Sequence, residues 1–223
     1  MNKKLEIACF NLESALIAEE NGADRIELCE NYKEGGLFPN EVLIKEVLAK
    51  TTIPVFVMIR PRPGNFIYSP NEVEIMKKQI QLCNQLNCDG SVFGVMNEDG
   101  SINTAVCKQL VKLAEPLPCT FHRAFDQVND YSKALEQVLD CGFKRILTSG
   151  VNTNAITGKN ILRELIQKAK DRIVIMPGGG IRSAHLRELA EFTGAKEFHS
   201  AAIMNENDTA NAEEIKKLKS NLN

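Results

Sequence analysis

Short apolar runs recur along the whole chain, and segments with the spacing of amphipathic helices separate them. Near-continuous apolar runs of this length are typical of parallel strands that are buried on both faces. The pattern predicts strands at Leu5–Phe10, Arg25–Cys29, Val55–Ile59, Ser91–Met96, Cys119–Ala124, Arg145–Thr148, Ile173–Met176 and Lys196–Ser200.

A helix with one apolar face is predicted between each strand and the next. Ser69 and Pro70 form a typical helix start before the third of these helices. The predicted helices are Leu12–Glu20, Glu41–Ala49, Glu72–Leu86, Ala105–Ala114, Ser132–Leu139, Ile161–Ala169 and Ala184–Phe192. After the last strand, a polar loop at residues 205–211 leads into a short C-terminal helix.

Repeated strand–helix cycles predict a single α/β domain over residues 1–223, folded as a compact (β/α)8 TIM barrel. Barrels of this kind usually have about 250 residues. A doubly wound open sheet is the alternative, and it usually carries a glycine-rich turn after its first strand. The segment Cys9–Glu13 contains no glycine, so the barrel is the favoured fold.

Composition and charge exclude several classes of partner. The formal net charge is −2, which provides no strong field to attract nucleic acid or an anionic membrane. Glu6 interrupts the first apolar segment, where a signal peptide needs an unbroken one, so we expect a cytoplasmic protein. Seven cysteines without a Cys-x-x-Cys spacing indicate free thiols rather than disulfides or a zinc ribbon.

Three arginines follow predicted strands. Arg60 and Arg62 come after the third strand, and Arg123 comes after the fifth. The carboxyl ends of parallel strands meet at one rim of a barrel, where ligands bind. Because the planar guanidinium group suits carboxylates and phosphates, we expect these arginines to clamp a small anionic ligand.

A glycine-rich segment, Gly178–Gly180, ends the seventh strand and opens the next helix. Such turns let a backbone approach a ligand and offer free amide donors, as barrels do for phosphate after strands seven and eight. Gly179, Gly180, Ser149 and Ser200 are therefore predicted to bind the anion. A tight turn without a ligand remains the alternative interpretation.

Four residues are candidates for acid–base catalysis. His122 and His199 end the fifth and eighth strands, where histidine can act as acid, base or metal ligand. Asp126 could orient His122 or a nearby arginine, or cap the following helix. Glu27 could be a general acid or base, or form an interior ion pair like the one we expect between Arg25 and Glu6 or Glu197.

Cys9 and Cys29 are predicted to end neighbouring strands. Copper(I) prefers soft ligands such as cysteine, so these two thiols are candidate metal ligands. Buried cysteine is also a common small core residue, and no chelating spacing supports the metal site.

Several motifs together resemble the CutC family of copper homeostasis proteins. They are Gly22–Cys29, Gly35–Leu37, Arg60–Tyr68, Phe121–Asp126, Gly178–Ile181 and Phe198–Ser200. The resemblance implies a cytoplasmic barrel that forms a homodimer or a larger homo-oligomer and takes part in copper handling, with copper as the expected ligand. Pro63-Gly64 stands where relatives usually have two glycines, which puts the ligand contacts of this mouth loop in question.

Two functions remain open at this point. The first is a cytoplasmic copper-binding homeostasis protein, as the resemblance implies. The second is a TIM-barrel enzyme that acts on a small anionic, phosphorylated metabolite at the carboxyl mouth. No lysine ends an apolar run and no Gly-x-Ser-x-Gly is present, which disfavours a Schiff-base aldolase and a serine hydrolase.

Overall fold

The structure is a computed structural model and describes residues 3–204 and 208–222. Parallel strands form one sheet in the order β7-β6-β5-β4-β3-β2-β1-β8. The two end strands, β7 and β8, pack against each other, so the predicted TIM barrel is confirmed. The strands are β1 (Lys4–Cys9), β2 (Arg25–Leu28), β3 (Val55–Met58), β4 (Gly90–Phe93), β5 (Cys119–Phe121), β6 (Arg145–Thr148), β7 (Val174–Pro177) and β8 (Glu197–Ser200).

The predicted helices form the outer layer. They are α1 (Leu12–Glu20), α2 (Glu41–Lys50), α3 (Pro70–Gln85), α4 (Thr104–Ala114), α5 (Tyr131–Asp140), α6 (Lys159–Ala169), α7 (Ser183–Thr193) and α8 (Ala212–Ser220). Short 3-10 turns occupy Tyr32–Glu34 and Arg123–Gln127. Residues 205–207 of the predicted polar loop lie outside the described residues. Within the described part of the chain, every helix is too short or too polar to cross a membrane.

Two strands end three residues earlier than predicted. β4 stops at Phe93 and β5 stops at Phe121. After β5 the backbone leaves the sheet, because the Nδ1 atom of His122 accepts the amide hydrogen of Ala124 and starts a 3-10 turn. This early exit turns the His122 side chain toward the mouth of the barrel.

The interior of the barrel contains a layer of paired charges. Arg25 pairs with both Glu6 and Glu197, which confirms the predicted interior ion pair. Arg145 also pairs with Glu197 at 2.7 Å. The rings and aliphatic chains between sheet and helices form the main hydrophobic core, and a smaller apolar cluster lies inside the barrel. The charged layer closes the barrel below the mouth.

Candidate functional site

The carboxyl ends of the strands surround a cavity of about 290 Å³. Its wall combines residues from seven different strands or the loops that follow them. Among them are Glu27, Arg60, His122, Arg123, Gly179, Gly180, His199 and Ser200. The fold therefore brings together most of the residues that the sequence predicted for the site.

His199 lies between two buried carboxylates on the inner face of the barrel. Its Nδ1 atom is 2.7 Å from Glu6 Oε1, and its Nε2 atom is 3.8 Å from Glu27 Oε2. The arrangement follows from strand pairing, since Glu6 of β1 is in register with His199 of β8. Glu6 thus fixes the ring so that Nε2 faces Glu27.

The environment of this cluster shifts the pKa of each member. Burial opposes the charge on Glu6, but Arg25 and His199 outweigh it and lower the pKa of Glu6 to about 2. Burial also opposes an imidazolium, yet the carboxylates of Glu27 and Glu6 raise the pKa of His199. Burial raises the pKa of Glu27, against the opposing charge of His199. Glu27 and His199 therefore form a buried acid–base pair, and each has a pKa above its ordinary value.

The same three residues have the composition of a metal site, because their ligand atoms lie within 4.8 Å of one another. Both oxygens of Glu6 are already engaged, one by Arg25 and the other by His199. A cation that recruited Glu6 would break a buried ion pair, which is costly. The cluster is better suited to proton transfer than to holding a metal ion.

His122 is buried in the cavity wall and is electrically neutral. Burial and then the positive charge of Arg60 lower the pKa of His122 to about 3. The Nδ1 atom accepts the Ala124 amide hydrogen at 3.3 Å, so the ring hydrogen is on Nε2. This Nε2 has no hydrogen-bond partner among the described residues. His122 therefore presents a hydrogen-bond donor and is unsuited to act as an acid or base.

Arg60 supplies buried positive charge at the mouth. Its Nη1 atom donates to the carbonyls of Glu34 and Gly36, and its Nη2 atom donates to the carbonyl of Gly64. These bonds tie together the loops after β2 and β3. Because its partners are neutral carbonyls, the charge of Arg60 remains available to attract an anion.

Arg123 is more accessible and is held in place from behind. Its Nε donates to Asp126 at 2.8 Å and its Nη2 donates to Ser149 Oγ at 3.1 Å. The side chain is 43% exposed and borders the cavity. Asp126 thus orients an arginine, one of the roles the sequence left open. The cap of α5 is Asp130 instead.

The backbone of Gly179 and Gly180 lines the cavity next to Arg123. Their φ angles are +89° and +73°, a region that favours glycine. A Cβ atom at Gly179 would lie 3.1 Å from Arg123 Cζ. No described residue accepts a hydrogen bond from either amide. These amide donors and Arg123 lie together just before the start of α7, an arrangement that is suited to an anion.

Asp126 and Ser149 do not line this cavity but support it. The Asp126 carboxylate accepts the amide hydrogens of Ser149 and Val151, which shapes the loop after β6. The Ser149 hydroxyl donates to the carbonyl of Asn152 and accepts from Arg123. Both residues fix the position of Arg123.

Arg62 points away from the cavity. Its Nε pairs with Glu72 at 2.5 Å, and its other nitrogens donate to the carbonyls of Pro63, Asn65 and Ile67. Its partners lie in its own loop and at the start of α3. The predicted three-arginine clamp therefore contains two arginines at the cavity and one in the supporting loop.

The backbones of Cys9 and Cys29 are neighbours, but their side chains pack in different apolar clusters. The amide of Cys29 donates to the carbonyl of Cys9 at 2.9 Å. Cys9 packs in the core under the helices, whereas Cys29 packs in the cluster inside the barrel. Burial, and then the charge of Glu27, raise the pKa of both thiols. Neither residue is part of the cavity wall among the described residues.

Several residues of the site were not predicted as functional. Phe66 and Arg182 line the cavity, and Glu6 orients His199 from below. For Glu6 the sequence does carry a signal, since a carboxylate within an apolar strand must find a buried partner. The positions of Phe66 and Arg182 depend on loop conformations that no local pattern specifies.

Comparisons with known proteins address the family. The model of the CutC family matches residues 3–204. The copper homeostasis protein cutC homolog of Homo sapiens is 48% identical over 198 residues, which cover 89% of this chain and 72% of that protein. The Mus musculus homolog is 50% identical over 198 residues, covering 89% and 73%.

A solved structure gives the same result. The putative copper homeostasis protein CutC from Streptococcus agalactiae has a TM-score of 0.85 and 33% identity to this chain. The match covers 89% of this chain and 98% of the bacterial one. The resemblance carried by the sequence motifs is therefore confirmed, and the chain belongs to the CutC family.

Proposed function

We propose that this CutC-family protein binds a small phosphorylated metabolite at the barrel mouth and carries out acid–base chemistry on it. The phosphate would lie on the amides of Gly179 and Gly180 beside Arg123. Glu27 and His199 would exchange protons with the reacting part of the molecule.

One observation carries the proposal. Several polar groups around one cavity have no partner within the described protein: the Glu27 Oε1 atom, the His122 Nε2 atom and two glycine amides. The Glu27 and His122 atoms are buried, whereas Gly179 is half-buried and Gly180 is exposed. Buried polar groups are normally hydrogen-bonded, and an exception at a cavity indicates a ligand that completes the bonds. Arg60 and Arg123 add charge of the sign that attracts a phosphate.

Thermal unfolding in the presence of phosphates tests this function. Inorganic phosphate and a panel of sugar phosphates at millimolar concentration should raise Tm, because they bind the folded state alone. Gly179→Ala should lose most of the shift, since its Cβ crowds Arg123. Gly194→Ala, at the far end of α7 with open space around its Cβ, is the matched control. An unchanged Tm with every anion would refute the proposal.

Copper(I) binding is the second candidate, because the backbones of Cys9 and Cys29 are adjacent and the human and mouse relatives are named copper homeostasis proteins. The two thiols can share one copper ion only if the side chain of Cys9 or Cys29 turns out of the cluster in which it packs. Anaerobic titration with copper(I) should then show one equivalent bound tightly. Cys29→Ser should lose it, and Cys107→Ser, on the buried face of α4, should retain it. Equal uptake by all three proteins would exclude Cys29 as a required ligand.

A further inference from the structure

His122 is shaped to donate one hydrogen bond into the cavity. Its Nδ1 atom is occupied by the Ala124 amide, and the ring packs against Phe66 with 4.6 Å between centroids. A Cβ atom on Gly94 would lie 2.8 Å from Nδ1, so this glycine leaves room for the ring. The ring is therefore fixed on several sides, and its Nε2–H is buried without a hydrogen-bond partner among the described residues.

Glu27 presents the complementary group. Its Oε2 atom accepts from the thiol of Cys29 at 3.5 Å and faces His199 Nε2, whereas its Oε1 atom has no partner among the described residues. The carboxylate is 3% exposed and borders the same cavity as His122. A carboxylate oxygen, a neutral imidazole donor and the proposed anion site thus surround one space.

We propose that the site catalyses enolisation: Glu27 removes a proton from carbon next to a carbonyl group, and His122 donates its Nε2–H to the carbonyl oxygen. The substrate class is a phosphorylated aldose or ketose. This inference rests on the proposed phosphate site, which would hold the substrate at its far end.

The step balances without a further reactant. The Glu27 Oε1 atom takes the proton, and the electron pair of the C–H bond becomes the C=C bond of an enediolate. The carbonyl π electrons move onto oxygen, where the hydrogen bond from His122 stabilises the negative charge. Return of the proton from Glu27 to the same carbon regenerates the substrate. Return to the neighbouring carbon yields the isomer, provided that the hydroxyl hydrogen of the enediolate passes to its adjacent negatively charged oxygen.

The neutral state of His122 matters for this reaction. A neutral imidazole can donate to an oxyanion without being acidic enough to be consumed as a proton source, and enolising enzymes use this arrangement. Arg60 favours that state because its positive charge opposes a second positive charge on the ring. Among the described residues that line the cavity no lysine is present, so a Schiff-base route lacks its nucleophile.

Hydrogen exchange in D2O tests the inference on the full-length protein. Dihydroxyacetone phosphate and phosphorylated aldoses and ketoses of up to six carbons are screened for Tm shifts, and those that bind are followed by proton NMR. Loss of the signal of a hydrogen next to the carbonyl is the expected result.

Glu27→Gln should abolish exchange, and His122→Phe should slow it by about 10²- to 10³-fold, the usual effect of removing one oxyanion donor. Glu74→Gln, an exposed carboxylate on α3, is the control.

Two further measurements distinguish an effect on catalysis from an effect on folding. Glu27→Asp retains the carboxylate but withdraws it, so it should bind the same sugar phosphate with slower exchange. Nitrogen NMR should show His122 with its hydrogen on Nε2 and without titration down to about pH 5. A doubly protonated His122 at neutral pH would overturn its role as donor.

The possible outcomes separate the two proposals. Exchange that requires Glu27 and His122 supports enolisation. Binding of sugar phosphates without exchange overturns enolisation and leaves the anion site standing. Absence of any Tm shift with phosphate or sugar phosphates overturns the proposed function and this inference with it.

Discussion

Glu6 is the residue on which the interior charges depend. It is 1% exposed and pairs with Arg25 through one oxygen and with His199 through the other. Glu6→Gln would leave Arg25 with Glu197 as its remaining carboxylate partner. Because breaking one side of a buried charge network leaves an uncompensated charge, we expect a loss of about 3 kcal/mol in the free energy of unfolding.

Urea denaturation checks this value. Glu74→Gln is the matched control, since Glu74 pairs with Lys77 on the surface and is 62% exposed. An exposed pair of this kind contributes less than about 1 kcal/mol. Similar losses in the two variants would show that the interior network is not a source of stability.

Some residue roles could be predicted and others could not. The partners of Arg25 were predictable, because a charge within an apolar strand must pair inside the barrel. The outward direction of Arg62 was not predictable, because Arg60 and Arg62 have the same chemistry and differ only in how the loop between β3 and α3 turns. The ring orientation of His122 likewise depends on where β5 ends.

At the scale of elements, the mouth loops place one arginine at the cavity and hold another in a supporting contact. Arg123 borders the cavity, whereas Arg62 joins its own loop to Glu72 at the start of α3. Arg123→Gln should weaken phosphate binding about tenfold, the contribution of one charge-assisted hydrogen bond. Arg62→Gln should leave the Kd unchanged and lower stability by about 1 kcal/mol. Calorimetric titration with phosphate, together with Tm, distinguishes these effects; an equal loss of affinity would place both arginines at the anion.

The C-terminal helix, α8, caps the start of α7, the helix that follows Gly179 and Gly180. Glu214 of α8 accepts the amide hydrogen and the hydroxyl hydrogen of Ser183 at the start of α7, both at 2.7 Å. Glu214→Ala should destabilise the protein by about 1 to 2 kcal/mol, as expected for a lost helix cap. Its neighbour Glu213 is 70% exposed, so Glu213→Ala should change the unfolding midpoint in urea very little. Equal midpoints would contradict a capping role for α8.

At the scale of the whole molecule, the architecture could be predicted from the sequence. Apolar runs repeat regularly with amphipathic helices between them, and β/α units can close into a barrel with all helices outside. Closure places the strand ends of β2, β3, β5, β7 and β8 at one rim, so the convergence of the site follows from the order of elements. Which donors remain unpartnered depends on individual hydrogen bonds, and these are set only after the loops have packed.

The two cavity histidines should make stability depend on pH in opposite directions around pH 6.5, their ordinary pKa. Burial and Arg60 lower the pKa of His122 to about 3, so the unfolded chain binds a proton below pH 6.5 that the folded protein does not. Stability should therefore fall as pH drops from 6.5, by about 1 kcal/mol per unit.

For His199 the neighbouring carboxylates outweigh burial and raise the pKa in the folded protein. The contribution of His199 to stability is therefore complete below pH 6.5 and is lost as pH rises through this higher folded-state pKa. Urea denaturation from about pH 5 to about pH 8 measures both slopes. His122→Gln should flatten the slope on the acidic side, and His199→Gln should flatten it on the alkaline side. Each variant is the control for the other, because His122→Gln should leave the alkaline slope unchanged and His199→Gln should leave the acidic slope unchanged. An acidic slope that persists in His122→Gln would mean that this ring takes up its proton in the folded barrel, which is incompatible with a neutral donor at the mouth.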